Sequence, residues 1–185
     1  MKVFVEIGCA DFDTLLPLAA RGWKGYFVEP IDRMRDSLIA QAKRVGIDMI
    51  NVEFAPICIS DYDGTIEMIE SVGDDWASGI SHVAKGPNSG LLNHPLNSHF
   101  KGHTIVKPCE TLSSFIRKRD ISQIDFLKID VEGHEMPILE HYDWSVKPGL
   151  IKIEHKHCDL ALLKRILARE GYHTYTEQDD LYAIH

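Results

Sequence analysis

Short apolar runs alternate along this chain with stretches whose apolar residues recur at helical spacing, and few architectures accept that alternation. Residues 3–7, 25–29, 51–60, 124–130 and 150–154 read as strands, the fourth with the near-continuous apolar character of a sheet centre. Helical spacing relates Leu15, Leu16, Leu18 and Ala19, with Pro17 marking the region where the regular helix begins. It also relates Ile31, Met34, Leu38, Ile39, Ala42 and Val45, a run that Gly46 stops. A short helix around Leu112, Phe115 and Ile116 follows Thr111 as N-cap. Asp159 caps another that carries Leu160, Leu163, Ile166 and Leu167 and closes at Gly171. Strands separated by helices predict an α/β fold: a doubly wound, largely parallel sheet with helices on its faces.

Two regions depart from that rhythm. Asp61-Tyr62-Asp63-Gly64 is turn chemistry, and residues 65–69 read as a returning strand. Residues from about 71 to 104 lose periodicity and are rich in Gly, Ser, Asn and His. A segment of that length inside a compact domain serves as a lid or stays irregular, and His82, His94, His99, His103 and Trp76 give it ligand-binding side chains. Residues 172–176 and 181–184 would finish the sheet as a hairpin. The 185 residues fit one domain, 1–185, with 71–104 as its irregular insertion.

Charge narrows the ligand classes. The formal net charge of −8 disfavours a nucleic-acid partner, because a polyanion is repelled unless a basic patch intervenes, and Arg117-Lys118-Arg119 is too small to be one. No apolar run approaches the roughly 20 residues of a membrane span, and no basic leader precedes the first strand. Cys9, Cys58, Cys109 and Cys158 are scattered without a CxxC pair, so they read as reduced thiols rather than zinc ligands, two of them buried in or beside apolar strands. The expected location is the cytoplasm.

The most informative pattern is where the acids fall. Four of the strands end in a carboxylate: Glu6, Glu29, Asp130 and Glu154. In a doubly wound sheet those ends form the ligand-binding edge. Carboxylates gathered there are costly without cationic or hydroxyl-bearing partners. Glu29 lies about 20 residues past the first-strand turn, where an acid accepts hydrogen bonds from ribose hydroxyls. A dinucleotide also needs a glycine-rich turn for its pyrophosphate. The turn here, from Glu6 through Gly8, Cys9 and Asp11 to Asp13, has one glycine and adds acids. That opposes NAD and ATP. A nucleoside with a cationic tail suits the edge better, and S-adenosylmethionine carries an ammonium and a sulfonium; the turn would face its aminocarboxypropyl end.

Asp125-Phe126-Leu127-Lys128-Ile129-Asp130-Val131-Glu132-Gly133-His134-Glu135 closely resembles the hallmark of the FkbM methyltransferases. Residues 4–8, Phe27-Val28-Glu29-Pro30, residues 59–65 and residues 151–155 are similar to that family's other conserved stretches, so the resemblance covers residues 3 to about 157. It implies a Rossmann-like class I methyltransferase sheet of seven strands with the last antiparallel. It further implies that Glu6 and Gly8, with Cys9 and Asp11 in the same turn, border the cofactor, and that Glu29, beside Pro30, binds the ribose. Ser60 and Asp61 would lie by the adenine and Asp130 near the reactive methyl. Asp11, Phe12 and Asp13 interrupt the family's glycine-rich turn, which gives the loop its own path here.

Methyl transfer needs an oriented nucleophile and a group that removes its proton. Candidates at or beyond the strand edge are Asp130, His134, Glu154, His155 and His157, with Asp130, His134 and His155 placed first. A second arrangement, less favoured, has Asp130, Glu154 and a histidine holding a divalent metal that lowers a hydroxyl's pKa. The family is associated with O-methylation, so a hydroxyl of a sugar or other small natural product is the expected acceptor. A dehydrogenase-like nucleotide enzyme and a non-catalytic nucleoside-binding module of the same fold are the alternatives.

Overall fold

The computed structural model describes residues 1–10, 14–71, 81–84 and 102–185. Its main sheet has seven strands in the order β10-β11-β9-β8-β1-β2-β3. β1 (Val3–Ile7) is an interior strand, paired in parallel with β2 (Lys24–Val28) on one side and with β8 (Phe126–Ile129), the middle strand, on the other. β3 (Val52–Ala55) extends the β2 side in parallel, and β9 (Leu150–Glu154) extends the β8 side. β11 (Asp180–Ile184) runs antiparallel between β9 and β10 (His173–Glu177), so the expected hairpin closes the sheet and supplies its reversed strand.

Alternation along β1 divides the core in two, because successive side chains point to opposite faces. Val5 and Ile7 join one cluster with Leu112 and Phe115 of α3 (Leu112–Lys118), Met136 and Ile138 of α4 (Glu135–Glu140), and Leu163 and Leu167 of α5 (Leu160–Arg169). Phe4 joins another with Leu16 and Ala19 of α1 (Leu16–Ala19) and Leu38 and Ala42 of α2 (Asp32–Arg44). Thr111 and Asp159 cap α3 and α5 as their sequence positions predict, accepting from the amides of Ser114 at 3.1 Å and Leu162 at 3.0 Å. α4 was not anticipated: Pro137 and an apolar run give it no amphipathic period, and all of Met136–Leu139 is buried.

The predicted third strand, 51–60, is two strands. Pro56 lacks the N–H a ladder needs. After it the chain leaves the main sheet, and β4 (Cys58–Ser60) joins a second sheet of order β4-β7-β5-β6. There β5 (Gly64–Ser71), the expected returning strand, pairs antiparallel with β7 (Gly102–Thr111). β7 went unread because Lys107 and Pro108 break its alternation. β6 (His82–Val83) pairs with β5, so the described part of the proposed lid region is bound to this sheet. Its remainder, with Trp76, His94 and His99, lies outside the described residues. Ile31, Met34, Cys58, Ile66, Met68, Val83 and Cys109 form a third apolar cluster between the start of α2 and the second sheet.

Candidate active site

A cleft opens where the C-terminal ends of β1, β2, β8 and β9 meet the second sheet. Its apolar wall is the third cluster: Ile31, Met34, Met68 and Val83, with Ile57 and Ile59. Its polar wall carries Lys128, Asp130, Glu132, His134 and Glu154. Of the residues singled out in the sequence, Gly8, Cys9, Glu29, Pro30, Asp130, His134 and Glu154 line this cleft. Glu6, Ser60, Asp61 and His155 are not among its lining residues, and Asp11 falls outside the described residues.

Gly8 is dictated by close approach. Its φ is +77°, and a Cβ there would sit 1.8 Å from the carbonyl oxygen of Asp130. The turn after β1 therefore nestles against the end of β8. Cys9 is fully enclosed, and burial, then Glu6 and Glu29, pushes its thiol well above the ordinary range. It donates toward the carbonyls of Glu6 (3.3 Å) and Val28 (3.5 Å), so it packs as a neutral thiol. Ala10 follows with φ +42°, uncommon for a residue with a Cβ.

Glu29 explains how Ala10 is held. One carboxylate oxygen accepts from the Ala10 amide at 2.9 Å, the other from the Ile31 amide at 2.8 Å. Burial raises its pKa while those two amides pull it down. Glu6, with no exposed surface, sits behind the cleft: one oxygen accepts from the Leu15 amide at 2.8 Å and the other faces Lys128 Nζ at 3.3 Å. Lys128 is 3% exposed and also lies 3.9 Å from Asp130 Oδ2. Residues 128 and 130 share a face of the strand, so the buried ammonium links the acid of β1 to the acid that ends β8. Sequence reading missed Lys128; a lysine two residues before a strand-end acid, within an apolar run, is the signal that marks it.

The turn after β8 is held as tightly. Glu132 has φ +57° and Gly133 φ +99°. Glu135, 1% exposed, accepts from the Val131 amide at 2.8 Å and the Gly133 amide at 3.0 Å, bracketing Glu132 on both sides. Cys158 Sγ also donates to it, at 3.3 Å. A left-handed non-glycine residue costs of order 1–3 kcal/mol unless its surroundings impose it, and Glu135 is what imposes it. The hallmark positions thus divide the physical work among themselves. Lys128 neutralises, Gly133 turns, Glu135 pins, and Asp130 and Glu132 reach the cleft.

His134 is buried at the cleft wall. Its Nε2 lies 2.9 Å from Ser60 Oγ, and Ser60 donates to Asp61 Oδ1 at 2.8 Å. With the hydroxyl proton on Asp61, Ser60 accepts from Nε2–H, which assigns the tautomer and leaves Nδ1 a lone pair with no protein partner. Burial lowers the His134 pKa, so the ring is neutral. Asp61, Ser60 and this imidazole therefore form one hydrogen-bonded chain. Across the site, burial and then Asp130 push the Glu132 carboxyl up to about 7 and that of Glu154 up to about 8. His155 donates its amide to the Asp179 carbonyl at 2.8 Å, and its buried Nε2 has no hydrogen-bond partner.

Among the described residues no helix is long and apolar enough to cross a membrane. No protein of curated function matches the sequence. Among solved structures, the chain is similar to a methyltransferase FkbM from Methylobacillus flagellatus KT, at 16% identity and a TM-score of 0.63. The match covers 100% of this chain and 43% of that one, so this chain spans less than half of that protein's length. A precorrin 8W decarboxylase from Methanobacterium thermoautotrophicum aligns at 14% identity with a TM-score of 0.49, over 99% of this chain and 80% of that one. The sequence model of the methyltransferase FkbM domain matches residues 3–174. That span takes in the sheet from β1 into β10, the pinned turn after β8 and the acids around the cleft, and the chain belongs to the FkbM methyltransferase family.

Proposed function

We propose that the chain transfers a methyl group from S-adenosylmethionine to a hydroxyl of a sugar or other small natural product. The observation that carries this reading is a two-sided cleft: one wall apolar, the other lined by Asp130, Glu132 and Glu154. A nucleoside base fits the first wall and a cationic tail the second. Glu29 lies where the two meet, and each of its oxygens keeps a lone pair beyond the amide it already accepts, enough for the ribose hydroxyls. When bound, S-adenosylmethionine supplies an electrophilic methyl: the acceptor oxygen–carbon bond forms as the carbon–sulfur bond breaks, sulfur keeps the electron pair, and the acceptor's proton passes to a protein base.

Asp130 and His134 are placed to take that proton, since both border the cleft. His134 is neutral with a lone pair on Nδ1, as a base must be. Lys128 holds Asp130 in place rather than joining the chemistry. The acid-lined wall repels phosphate-rich acceptors, in keeping with the net charge of −8, so the acceptor is a small molecule rather than a nucleic acid.

The test is calorimetric titration with S-adenosylhomocysteine, with NAD as control. Micromolar binding that Glu29→Gln and Glu29→Ala each weaken by about 1–3 kcal/mol is expected. Binding of NAD in preference, or of neither ligand, would sink the cofactor reading. An acceptor panel in which only amines or thiols are methylated would sink the O-acceptor.

A further inference from the structure

Glu132, Glu154 and His157 converge beside the cleft from three chain segments: the turn after β8, the end of β9 and the turn before α5. One ligand atom of each lies within 4.8 Å of the other two. That spacing leaves room for an ion at roughly 2.0–2.6 Å from all three, the range of carboxylate and imidazole ligation. His157 is well enclosed, its side chain 9% exposed, and its Nε2 is 3.9 Å from Glu132 Oε2, too far for a direct hydrogen bond. Glu154 Oε2 is wholly buried and has no hydrogen-bond partner. A buried carboxylate oxygen without a donor is expensive, and a site that maintains one is short of a cation. Asp130 and Glu135 add negative charge to the same pocket, with Lys156 as the opposing charge acting on it. Glu135 holds the backbone on both sides of Glu132, which fixes where that ligand's side chain starts.

We propose that Glu132, Glu154 and His157 bind one divalent cation. Two carboxylates and an imidazole suit Mn²⁺ and its first-row neighbours better than the all-oxygen shells that calcium prefers. The position differs from the Asp130, Glu154 and histidine set that the sequence suggested: the acid is Glu132, and the left-handed turn is what brings it round. The site stands on its own geometry. Its role, lowering the pKa of an acceptor hydroxyl at the cleft, rests on the methyl-transfer reading.

The experiment is Mn²⁺ titration of the full chain after stripping with a chelator, followed by calorimetry and by the electron paramagnetic signal of free Mn²⁺. One Mn²⁺ per chain is expected, with affinity reduced roughly 10- to 100-fold or more by Glu132→Gln, Glu154→Gln and His157→Ala, and unchanged by Glu140→Gln on the exposed end of α4. Mn²⁺ should raise the melting temperature of the parent chain and not that of Glu154→Gln, which shows the variant folded and metal-blind. No saturable binding, or binding indifferent to all three substitutions, overturns the proposal. S-adenosylhomocysteine titrated in chelator separates the two readings: its binding without any Mn²⁺ site removes the cation and leaves the methyltransferase. Mn²⁺ binding without the nucleoside does the reverse.

Discussion

The two ends of the carboxylate edge use the same residue type for opposite purposes. At the β1–β2 end, every oxygen of Glu6 and Glu29 meets a donor: the amides of Leu15, Ala10 and Ile31, and the ammonium of Lys128. At the β8–β9 end, Glu132 and Glu154 have carboxylates for neighbours, and a Glu154 oxygen has no hydrogen bond. The first end has its donors within the protein, and only the lone pairs that Glu29 keeps are left for a ligand. The second leaves a buried carboxylate oxygen without a hydrogen bond. How far a strand-end acid is already satisfied depends on whether the turns bring backbone amides to it.

The largest test of this contrast is Glu6→Ala. It strips the buried Lys128 of the carboxylate 3.3 Å from its ammonium, and breaking one partner of a buried pair costs about 3–5 kcal/mol, read as a drop in urea-unfolding stability. A loss under about 1 kcal/mol would mean that Asp130, at 3.9 Å, takes over the ammonium. Next comes Glu135→Gln, which keeps the shape but replaces the carboxyl group that accepts from the Val131 and Gly133 amides. About 1–3 kcal/mol is expected, with faster amide exchange at 131–133 as a local readout. If exchange there is unchanged, the turn is held by something other than Glu135.

The smallest effect is one of sign. A carboxyl whose folded pKa lies above its unfolded value binds more protons in the folded state, so stability falls as pH rises between the two values. Glu154, at about 8, and Glu132, at about 7, place that fall between about pH 5 and pH 8 in the metal-free chain. The groups facing them are Asp130, Glu135, Lys156 and His157. Glu154→Gln should flatten the slope and, at pH 8, leave the chain as stable as its parent or more so, by thermal unfolding. A parent that gains stability over the same window would contradict the open character of this end.

Much of this arrangement was legible beforehand, and the rest was hidden for identifiable reasons. The main sheet's parallel strands and the reversed final strand follow from apolar runs, turn residues and the family resemblance. Glu29, Gly8, Asp130 and His134 reach the cleft because strand ends have one address in such a fold. The apolar wall was invisible: Met68 and Val83 arrive on the second sheet, which exists only through pairing between β5 and a β7 interrupted by Pro108. The contact between Ser60 and His134 was hidden as well, because no local pattern shows a partner 74 residues away. Glu132 faces the open end because of a left-handed φ on a non-glycine residue, which residue type alone does not announce.

The interior position of β1, between β2 and β8, sets the order in which the molecule can assemble. Its near neighbour β2 follows within one helix of chain, but its other neighbour, β8, lies 122 residues on at the Glu6–Lys128 contact. On the ribosome, at roughly 5–20 residues per second, the apolar strand 3–7 waits several seconds with one edge bare, and bare apolar edges recruit other chains. β1 and β2 must hold together until Lys128 arrives, and the ammonium that steadies Asp130 also closes that edge. Weakening it would surface as a lower yield of soluble chain during synthesis, beside the loss of stability in the purified protein.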